Sequence, residues 1–318
     1  MQHREKENAS IMYFIGTSTR QSSIMPLFPQ WMRALGFENA KIKGIDLELH
    51  AKPEAYRKAV ALIKNDPSSR GALVTTHKID LYHAAKDMFD YLDPFAQNLE
   101  ELSCLATRDG KLLGYAIDLI SSGLAMKAFI PEGFWQKHKG EALIMGAGGS
   151  ALAICTNLLN KDNGDNIPSR VIITNRSRPR LESARKKLQK MYPHAVVEYR
   201  HCPEPKHNDA ALNLLKPYSL IVNATGLGKD RPGSPITHDG EFPPNSLAWD
   251  LNYRGDLLFL HQASRQKEKK SLHIEDGWTY FLHGWTQVIS VVFDLQIDGA
   301  TFDQLAKIAA AEQQKRTW

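Results

Sequence analysis

LIMGAGGSALA, residues 143–153, is the most informative stretch of this 318-residue chain. Its first residues are apolar and typical of a buried strand, residues 146–149 are three glycines and one alanine, and the remainder is typical of a helix. Glycine allows the chain to turn tightly between a strand and a helix. The stretch therefore predicts a strand–turn–helix unit of a parallel sheet, although a purely structural turn remains an alternative.

The same alternation of apolar runs and helix-period stretches extends along the whole chain. IMYFIG (11–16) and GALVTT (71–76) are typical strands, and Asp109-Gly110 predicts a hairpin turn between two more strands. We therefore predict an α/β fold of two domains with mainly parallel sheets. The first domain, an α/β substrate domain, is expected over residues 1–124 and completed by C-terminal helices over 277–318. The second, a Rossmann domain, is expected over 125–276.

Composition indicates an ordinary globular protein. Hydrophobic residues make up 42% and charged residues 24% of the chain, and no apolar run approaches the ~18 residues that cross a bilayer. The polar N-terminus shows no secretory signal, and three scattered cysteines indicate reduced thiols in the cytoplasm, with no metal site. The net charge is +5, with basic clusters at 178–187 and 265–270. A solvated helix face is one interpretation of each cluster and the favoured one for 265–270, and we expect no nucleic-acid or membrane partner.

The glycine turn favours a dinucleotide. Glycines let the backbone approach a pyrophosphate, and the helix that follows offers free N–H groups and a partial positive charge. The next strand ends in TNRSRPR (174–180), which has arginines but no carboxylate for the ribose hydroxyls. Arginine forks suit a 2′-phosphate, so we favour NADP over NAD, without excluding that NAD is also accepted. Arg180 alone could equally be a solvated helix arginine.

A third strand ends in NATG (223–226), at an edge where ligands of such sheets bind. We expect these residues to lie near the nicotinamide ribose. The predicted cofactor-binding residues are Gly146, Ala147, Gly148, Gly149, Ser150, Asn175, Arg176, Ser177, Arg180, Asn223, Ala224 and Thr225.

Two charged residues follow predicted strands in the first half of the chain. Lys78 comes just after GALVTT, and Asp118 follows KLLGYAI. Taken alone, Lys78 could be a solvated lysine at a helix start, and Asp118 could be a helix N-cap.

The order of all these landmarks resembles the shikimate dehydrogenase family over nearly the whole chain. The family motif GAGGxxxA is similar to residues 146–153, and NR(T/S)xxR to residues 175–180. The family's NAT is found at 223–225, and its DxxY at Asp250 and Tyr253. The family's catalytic lysine and aspartate fall on Lys78 and Asp118.

The resemblance implies hydride transfer between a cyclic hydroxy acid and the nicotinamide. Lys78 would accept the hydroxyl proton, for which its pKa must drop below the reference value of ~10.4, and burial can lower it. Asp118 would hold the lysine and the hydroxyl, and the active site is expected in a cleft between the domains. The implied substrate-side residues are Ser22, Ser23, Thr75, Ser103, Tyr253 and Gln287. For Tyr253, a place in the core is an equal alternative.

The substrate side departs from the family pattern. Ile24 replaces the second serine of SxSP, Ala72 and Thr76 replace the asparagine and proline of NVTxPxK, and Ser103 replaces an asparagine. The glutamine of the closing helix falls on Gly284, with Gln287 one turn later. Because hydroxyl-binding sites discriminate by pairing, lost partners should change the preferred substrate.

The sequence therefore predicts a cytoplasmic NADP-dependent alcohol dehydrogenase, a monomer or homodimer whose substrate is a small hydroxy acid. One alternative is a catalytically silent NADP-binding regulatory or scaffold protein of the same fold. A weaker one is a folate-linked dehydrogenase, whose family also uses a lysine.

Overall fold

The computed structural model describes residues 10–229 and 231–314. Two compact units divide the chain. One comprises the residues up to Ile117 together with those from Gly284 onward, and the other comprises Asp118–His283. The polar start at residues 1–9 and the last four positions of the predicted C-terminal helices, 315–318, lie outside the described residues.

A six-stranded sheet forms the centre of the first unit. Its strands lie in the order β2-β1-β3-β5-β6-β4, with β1 parallel to β2 and β3, β4 parallel to β6, and β5 antiparallel to β3 and β6. The predicted hairpin at Asp109-Gly110 connects β5 and β6, and both residues have positive φ. The bounds are β1 Ile11–Gly16, β2 Lys41–Asp46, β3 Ser69–Val74, β4 Tyr91–Leu92, β5 Cys104–Arg108 and β6 Lys111–Tyr115.

Helices cover this sheet because each presents an apolar face at helical spacing. The second of them, for example, buries Tyr56, Ala59, Val60 and Ile63 in one cluster with residues of β1 and β3. The bounds are α1 Ile24–Ala34, α2 Pro53–Asn65, α3 Lys78–Ala85 and α4 Pro94–Leu99, with single 3₁₀ turns at Thr19–Gln21 and Lys86–Met88.

The second unit contains a six-stranded sheet in which every pairing is parallel. Its bounds are β7 Ala142–Met145, β8 Val171–Asn175, β9 Val197–His201, β10 Leu220–Asn223, β11 Leu247–Asp250 and β12 His273–Glu275. The spatial order is β9-β8-β7-β10-β11-β12. In chain order this is 3-2-1-4-5-6, the arrangement of doubly wound dinucleotide-binding sheets, and the strand order reverses between β7 and β10.

The helices of the second unit are α5 Asp118–Phe129, α6 Phe134–His138, α7 Gly149–Leu158, α8 Arg178–Met191, α9 Pro205–Leu212, α10 Leu258–Ser264 and α11 Lys267–Lys270, with a 3₁₀ turn at Lys161–Asn163. Helix α12, Trp278–Phe293, begins in the second unit and ends in the first, where α13, Gly299–Gln314, follows.

Two α/β units with mainly parallel sheets confirm the predicted fold class. No helix within the described ranges combines the length and the apolar character that crossing a membrane requires. In the same ranges no group of three or more His, Cys, Asp or Glu side chains could hold a metal ion.

Candidate functional site

The glycine turn lies at the point where the second sheet reverses its strand order. Gly146 directly follows β7, its N–H donates to the Thr174 carbonyl oxygen (2.8 Å), and its φ is +130°. A Cβ at this residue would lie 2.5 Å from the Ala224 carbonyl oxygen, so the turn packs against the end of β10 only because residue 146 is glycine.

Gly148, unlike Gly146, faces open space. A Cβ built on it would have no heavy atom within 4 Å, and Gly148 is the N-cap of α7 without a side-chain capping bond. The first-turn N–H groups of α7, at Gly149, Ser150 and Ala151, therefore receive no capping side chain from residue 148. Open space in front of an uncapped helix N-terminus fits a pyrophosphate.

The end of β8 carries the arginines. The Ser177 N–H donates to Asn175 Oδ1 (2.8 Å), and Ser177 caps α8 by accepting a hydrogen bond from the Arg180 N–H (3.5 Å). Asn175 and Ser177 thus shape the turn, while the Arg176 and Arg180 side chains are exposed. His201 Nε2 lies 3.0 Å from the Arg176 carbonyl oxygen and supports the same turn.

Asn223 organises the loop after β10. Its Nδ2 donates to the Leu227 carbonyl oxygen and to Asp250 Oδ2 (both 3.1 Å), while its Oδ1 accepts from the Thr225 N–H (3.1 Å) and hydroxyl (2.7 Å). The side chain therefore holds the loop in place. Asp250 is fully buried, and burial raises its pKa to about 7 although Asn252 N–H and Asn223 both donate to it.

Tyr253 belongs to an aromatic cluster at the start of α12. Its ring centroid lies 4.7 Å from that of Phe281 and 5.3 Å from that of Trp278, and Lys229 Nζ lies 5.9 Å from its centroid. The cluster gives Tyr253 a fixed position in the second unit, near the loop that Asn223 organises.

In the first unit, the carboxyl ends of β1, β2 and β3 share one edge of the sheet. The Thr19 N–H donates to Asp46 Oδ1 (2.8 Å), and hydrogen bonds from Thr19 lower the pKa of Asp46. Ser22 is half-buried and donates its N–H to the Thr19 carbonyl oxygen (3.0 Å), Ser23 is buried, and the Thr75 N–H donates to the Ile15 carbonyl oxygen (3.0 Å). Ser22, Ser23 and Thr75, which the resemblance places on the substrate side, thus follow the carboxyl ends of β1 and β3.

Lys78 is the first residue of α3 and is half-buried. Its carbonyl oxygen accepts a hydrogen bond from the Leu102 N–H (3.1 Å). The preceding residue, His77, is fully buried, its Nδ1 lies 3.2 Å from the Tyr56 hydroxyl, and burial lowers its pKa. The main chain at Lys78 is therefore fixed from both sides.

The turn that leads to Lys78 differs from what a proline would allow. Thr76, which stands where the family pattern has proline, has φ +63°. Proline locks φ near −65°, and a β-branched residue in the left-handed region is strained. Sequence reasoning noted the substitution but did not anticipate this backbone geometry.

The other substituted positions offer little to a polar ligand. Ile24 and Ala72 have no exposed surface, and a Cβ at Gly284 would meet open space. The Ser103 hydroxyl accepts from the Ile117 N–H (2.7 Å) and donates to the Tyr115 carbonyl oxygen (3.4 Å). Gln287, one turn beyond Gly284, is half-buried.

Asp118, the first residue of α5, is 8% exposed. Its Oδ2 accepts hydrogen bonds from the Tyr280 hydroxyl (3.1 Å) and the Ser150 hydroxyl (3.3 Å), both within the second unit. Tyr280 was not among the site residues predicted from the sequence, since nothing in its local pattern distinguishes it from a packing aromatic.

No protein-family model matches the chain. A shikimate dehydrogenase (NADP(+)) of Streptococcus thermophilus is 28% identical over 182 residues, which cover 56% of this chain and 58% of that protein. The aligned part thus spans less than two thirds of that relative.

Over these segments the chain is similar to the shikimate dehydrogenases. This confirms the resemblance inferred from the motifs. Among solved structures, the Thermus thermophilus shikimate 5-dehydrogenase in complex with NADP(H) and shikimate matches with a TM-score of 0.68 at 22% identity, covering 94% of this chain and 99% of that one. The Corynebacterium glutamicum quinate dehydrogenase in complex with NAD matches with a TM-score of 0.70 at 15% identity, covering 95% and 99%.

These structural matches show a shared fold. Since proteins that bind different cofactors and substrates match about equally well, the choice between them depends on the side chains of this chain.

Proposed function

We propose that the chain is an NADP-dependent oxidoreductase of the shikimate dehydrogenase type. It would transfer hydride between a cyclic hydroxy acid, of the shikimate or quinate class, and the nicotinamide. The observation that carries the proposal is the Gly146–Ser150 turn, which combines a glycine packed on the neighbouring strand with an uncapped helix N-terminus behind Gly148. It lies at the strand-order reversal of a 3-2-1-4-5-6 sheet.

The residues of the second unit fit NADP. The N–H groups of the first turn of α7 would hold the pyrophosphate, and the exposed Arg176 and Arg180 would hold a 2′-phosphate. Ala224 and Thr225 lie in the loop that Asn223 organises, beside the turn. When bound, the dinucleotide supplies the hydride acceptor.

Lys78 and Asp118 are proposed to act as a pair on the substrate hydroxyl. Lys78 would take the hydroxyl proton, and the Asp118 carboxylate would hold the hydroxyl and the lysine in position. Each residue is the first of a helix that follows a strand in the chain, and each is at least half-buried.

The substrate side of the first unit offers fewer hydrogen-bond partners than a polyhydroxylated ring could use. Ile24 and Ala72 are apolar, and the Ser103 hydroxyl is bonded to the main chain. A site without a partner for a hydroxyl loses the discrimination that pairing provides. We therefore propose a cyclic hydroxy acid related to shikimate or quinate, with an amino analogue included, as the substrate class.

The test is a panel of shikimate, quinate and an amino analogue, each supplied with NADP or NAD. The expected result is NADPH production from at least one alcohol, with a higher kcat/KM for NADP than for NAD. The matched control is Asp118→Asn, which should bind NADP and lose turnover. NADP binding without oxidation of any alcohol would contradict the proposal and favour a regulatory or scaffold role.

A further inference from the structure

Two hydroxyl groups converge on a single oxygen of Asp118. The Tyr280 hydroxyl lies 3.1 Å and the Ser150 hydroxyl 3.3 Å from Oδ2. Charge-assisted hydrogen bonds to a carboxylate with 8% exposure are stronger than those between neutral groups. Two donors on one oxygen also fix the rotation of the carboxylate plane, so its other oxygen has a defined direction.

The ring of Tyr280 packs against a buried tryptophan. Its ring meets the ring of Trp249 edge-on, at a centroid distance of 5.8 Å. Trp249 has no exposed surface, its Nε1 donates to the Asp276 carbonyl oxygen (3.2 Å), and its ring packs on Phe129 at 5.4 Å. The hydroxyl of Tyr280 therefore projects from a buried part of the second unit and does not depend on the glycine turn.

Ser150 connects the same oxygen to the glycine turn. It stands in the first turn of α7, immediately after Gly149, among the residues proposed to hold the pyrophosphate. Its hydroxyl has one proton, which can be donated either to Asp118 or to a phosphate oxygen. Pyrophosphate in the turn would therefore compete with Asp118 for this proton.

We propose that Tyr280 is the positioning residue of the Asp118 carboxylate, and that Ser150 couples this carboxylate to occupancy of the glycine turn. The inference rests on the proposed function and adds two roles to it. When the turn is empty, both hydroxyls hold Oδ2. When a pyrophosphate oxygen accepts the hydrogen bond of Ser150 instead, the Tyr280 hydroxyl stays on Oδ2 and keeps the carboxylate oriented towards the substrate hydroxyl.

The coupling is tested by NADP binding, measured by titration calorimetry, which needs no substrate. Wild type, Asp118→Asn, Ser150→Ala and the double variant form a cycle. Asp118→Asn should tighten NADP binding about 3- to 10-fold, because Ser150 is released and a negative charge is removed. In the Ser150→Ala background the tightening should be at least about 3-fold smaller. Additive effects would overturn the role of Ser150.

The positioning role is tested by Tyr280→Phe with whichever alcohol of the panel is oxidised. We expect kcat to fall about 10-fold while the affinity for NADP changes less than about 2-fold. The control is Tyr192→Phe, which removes another tyrosine hydroxyl hydrogen bond of the same unit, to the Thr156 carbonyl oxygen (3.1 Å), and should leave kcat unchanged. An unchanged kcat in Tyr280→Phe, or a parallel loss of NADP affinity, would overturn this role.

A third measurement separates this inference from the proposed function. Should wild type bind no NADP or oxidise no alcohol, the proposed function fails, and urea unfolding still tests the cluster. In a cycle of Tyr280→Phe and Asp118→Asn, the hydrogen bond predicts a coupling of about 3-fold or more in the unfolding equilibrium constant. The absence of coupling would overturn the role of Tyr280 at Asp118, whether or not the protein binds NADP.

Discussion

The carboxyl edges of the two sheets differ in how many residues of the shikimate dehydrogenase motifs are present. In the second unit, the landmarks at Gly146, Asn175, Asn223 and Asp250 are all present, and each has a defined structural task. In the first unit, Lys78 is present, but Ile24 and Ala72 are buried and apolar, and the Ser103 hydroxyl is bonded to the main chain.

The difference shows that the cofactor edge is constrained by backbone geometry, whereas the substrate edge is constrained by the identity of its side chains. The turn tolerates only glycine at Gly146, because a Cβ there would lie 2.5 Å from the Ala224 carbonyl oxygen, so a change at this residue costs the fold. Ile24 and Ala72 pack well in their core positions, so a polar partner is lost without loss of the fold. A substrate edge can therefore change its specificity while the cofactor edge stays constant.

The largest expected effect is at Thr76 in the first unit. Thr76→Pro restores the family residue but cannot adopt φ +63°, so it should lower the free energy of unfolding by about 3 kcal/mol or more. Thr76→Gly at the same position relieves the left-handed strain and should stabilise by about 1 kcal/mol. Urea unfolding measures both. A Thr76→Pro variant as stable as wild type would show that the turn before Lys78 follows the family geometry after all.

The next effect separates two glycines of one turn. Gly148→Val adds a side chain where no heavy atom lies within 4 Å, so the fold should be kept while NADP affinity falls about 30-fold. Gly146→Ala meets the Ala224 carbonyl oxygen at a positive φ, so it should cost about 2 kcal/mol of unfolding free energy. Calorimetry and urea unfolding distinguish the two. Normal NADP binding by Gly148→Val would place the pyrophosphate elsewhere.

A smaller effect concerns the choice of cofactor. Arg180→Ala should reduce the preference for NADP over NAD about 10-fold, because a charge-assisted bond to the 2′-phosphate is lost. The control is Arg185→Ala on the same helix, whose guanidinium pairs with Glu182 at 2.8 Å. The ratio of kcat/KM values for the two cofactors is the measurement. Equal ratios in wild type and Arg180→Ala would show that Arg180 does not contribute to binding of the 2′-phosphate.

The smallest effect is a pH dependence in the second unit. Burial raises the pKa of Asp250 to about 7, above its unfolded value, so the native state keeps a proton that the unfolded chain releases between about pH 4 and pH 7. The stabilisation is complete below this window and is lost as the pH rises. The free energy of unfolding should fall by about 1 kcal/mol from pH 6 to pH 7 through this group.

Urea unfolding of Asp250→Asn across this range should show a flatter dependence than wild type. The exposed Asp239→Asn of the same unit serves as the control and should keep the wild-type slope. A wild-type slope in Asp250→Asn as well would refute the contribution of this carboxyl group.

Much of the fold could be predicted because the signals are local. The glycine turn is encoded in four consecutive residues, and the buried face of α2 follows from helical spacing alone. The ends of β8 and β10 were also visible as apolar runs that stop at asparagine.

The remainder depends on contacts that no local pattern contains. Tyr280 and Asp118 are 162 positions apart, and their hydrogen bond exists only in the folded second unit. Likewise, Ser103 was predicted to face substrate, but its hydroxyl also bonds to main-chain groups at Tyr115 and Ile117, which only the folded hairpin brings near. The left-handed Thr76 was missed because a threonine gives no signal for positive φ.

The central claim, that Lys78 accepts the proton of the substrate hydroxyl, is tested most directly by Lys78→Ala. Turnover of the preferred alcohol should fall about 1,000-fold, while NADP affinity stays within about 3-fold of wild type. Lys86→Ala, at the other end of α3, where its ammonium lies 5.5 Å from the centroid of the Tyr82 ring, should retain normal turnover. A Lys78→Ala enzyme that oxidises the same alcohol within a few fold of the wild-type rate would contradict the account.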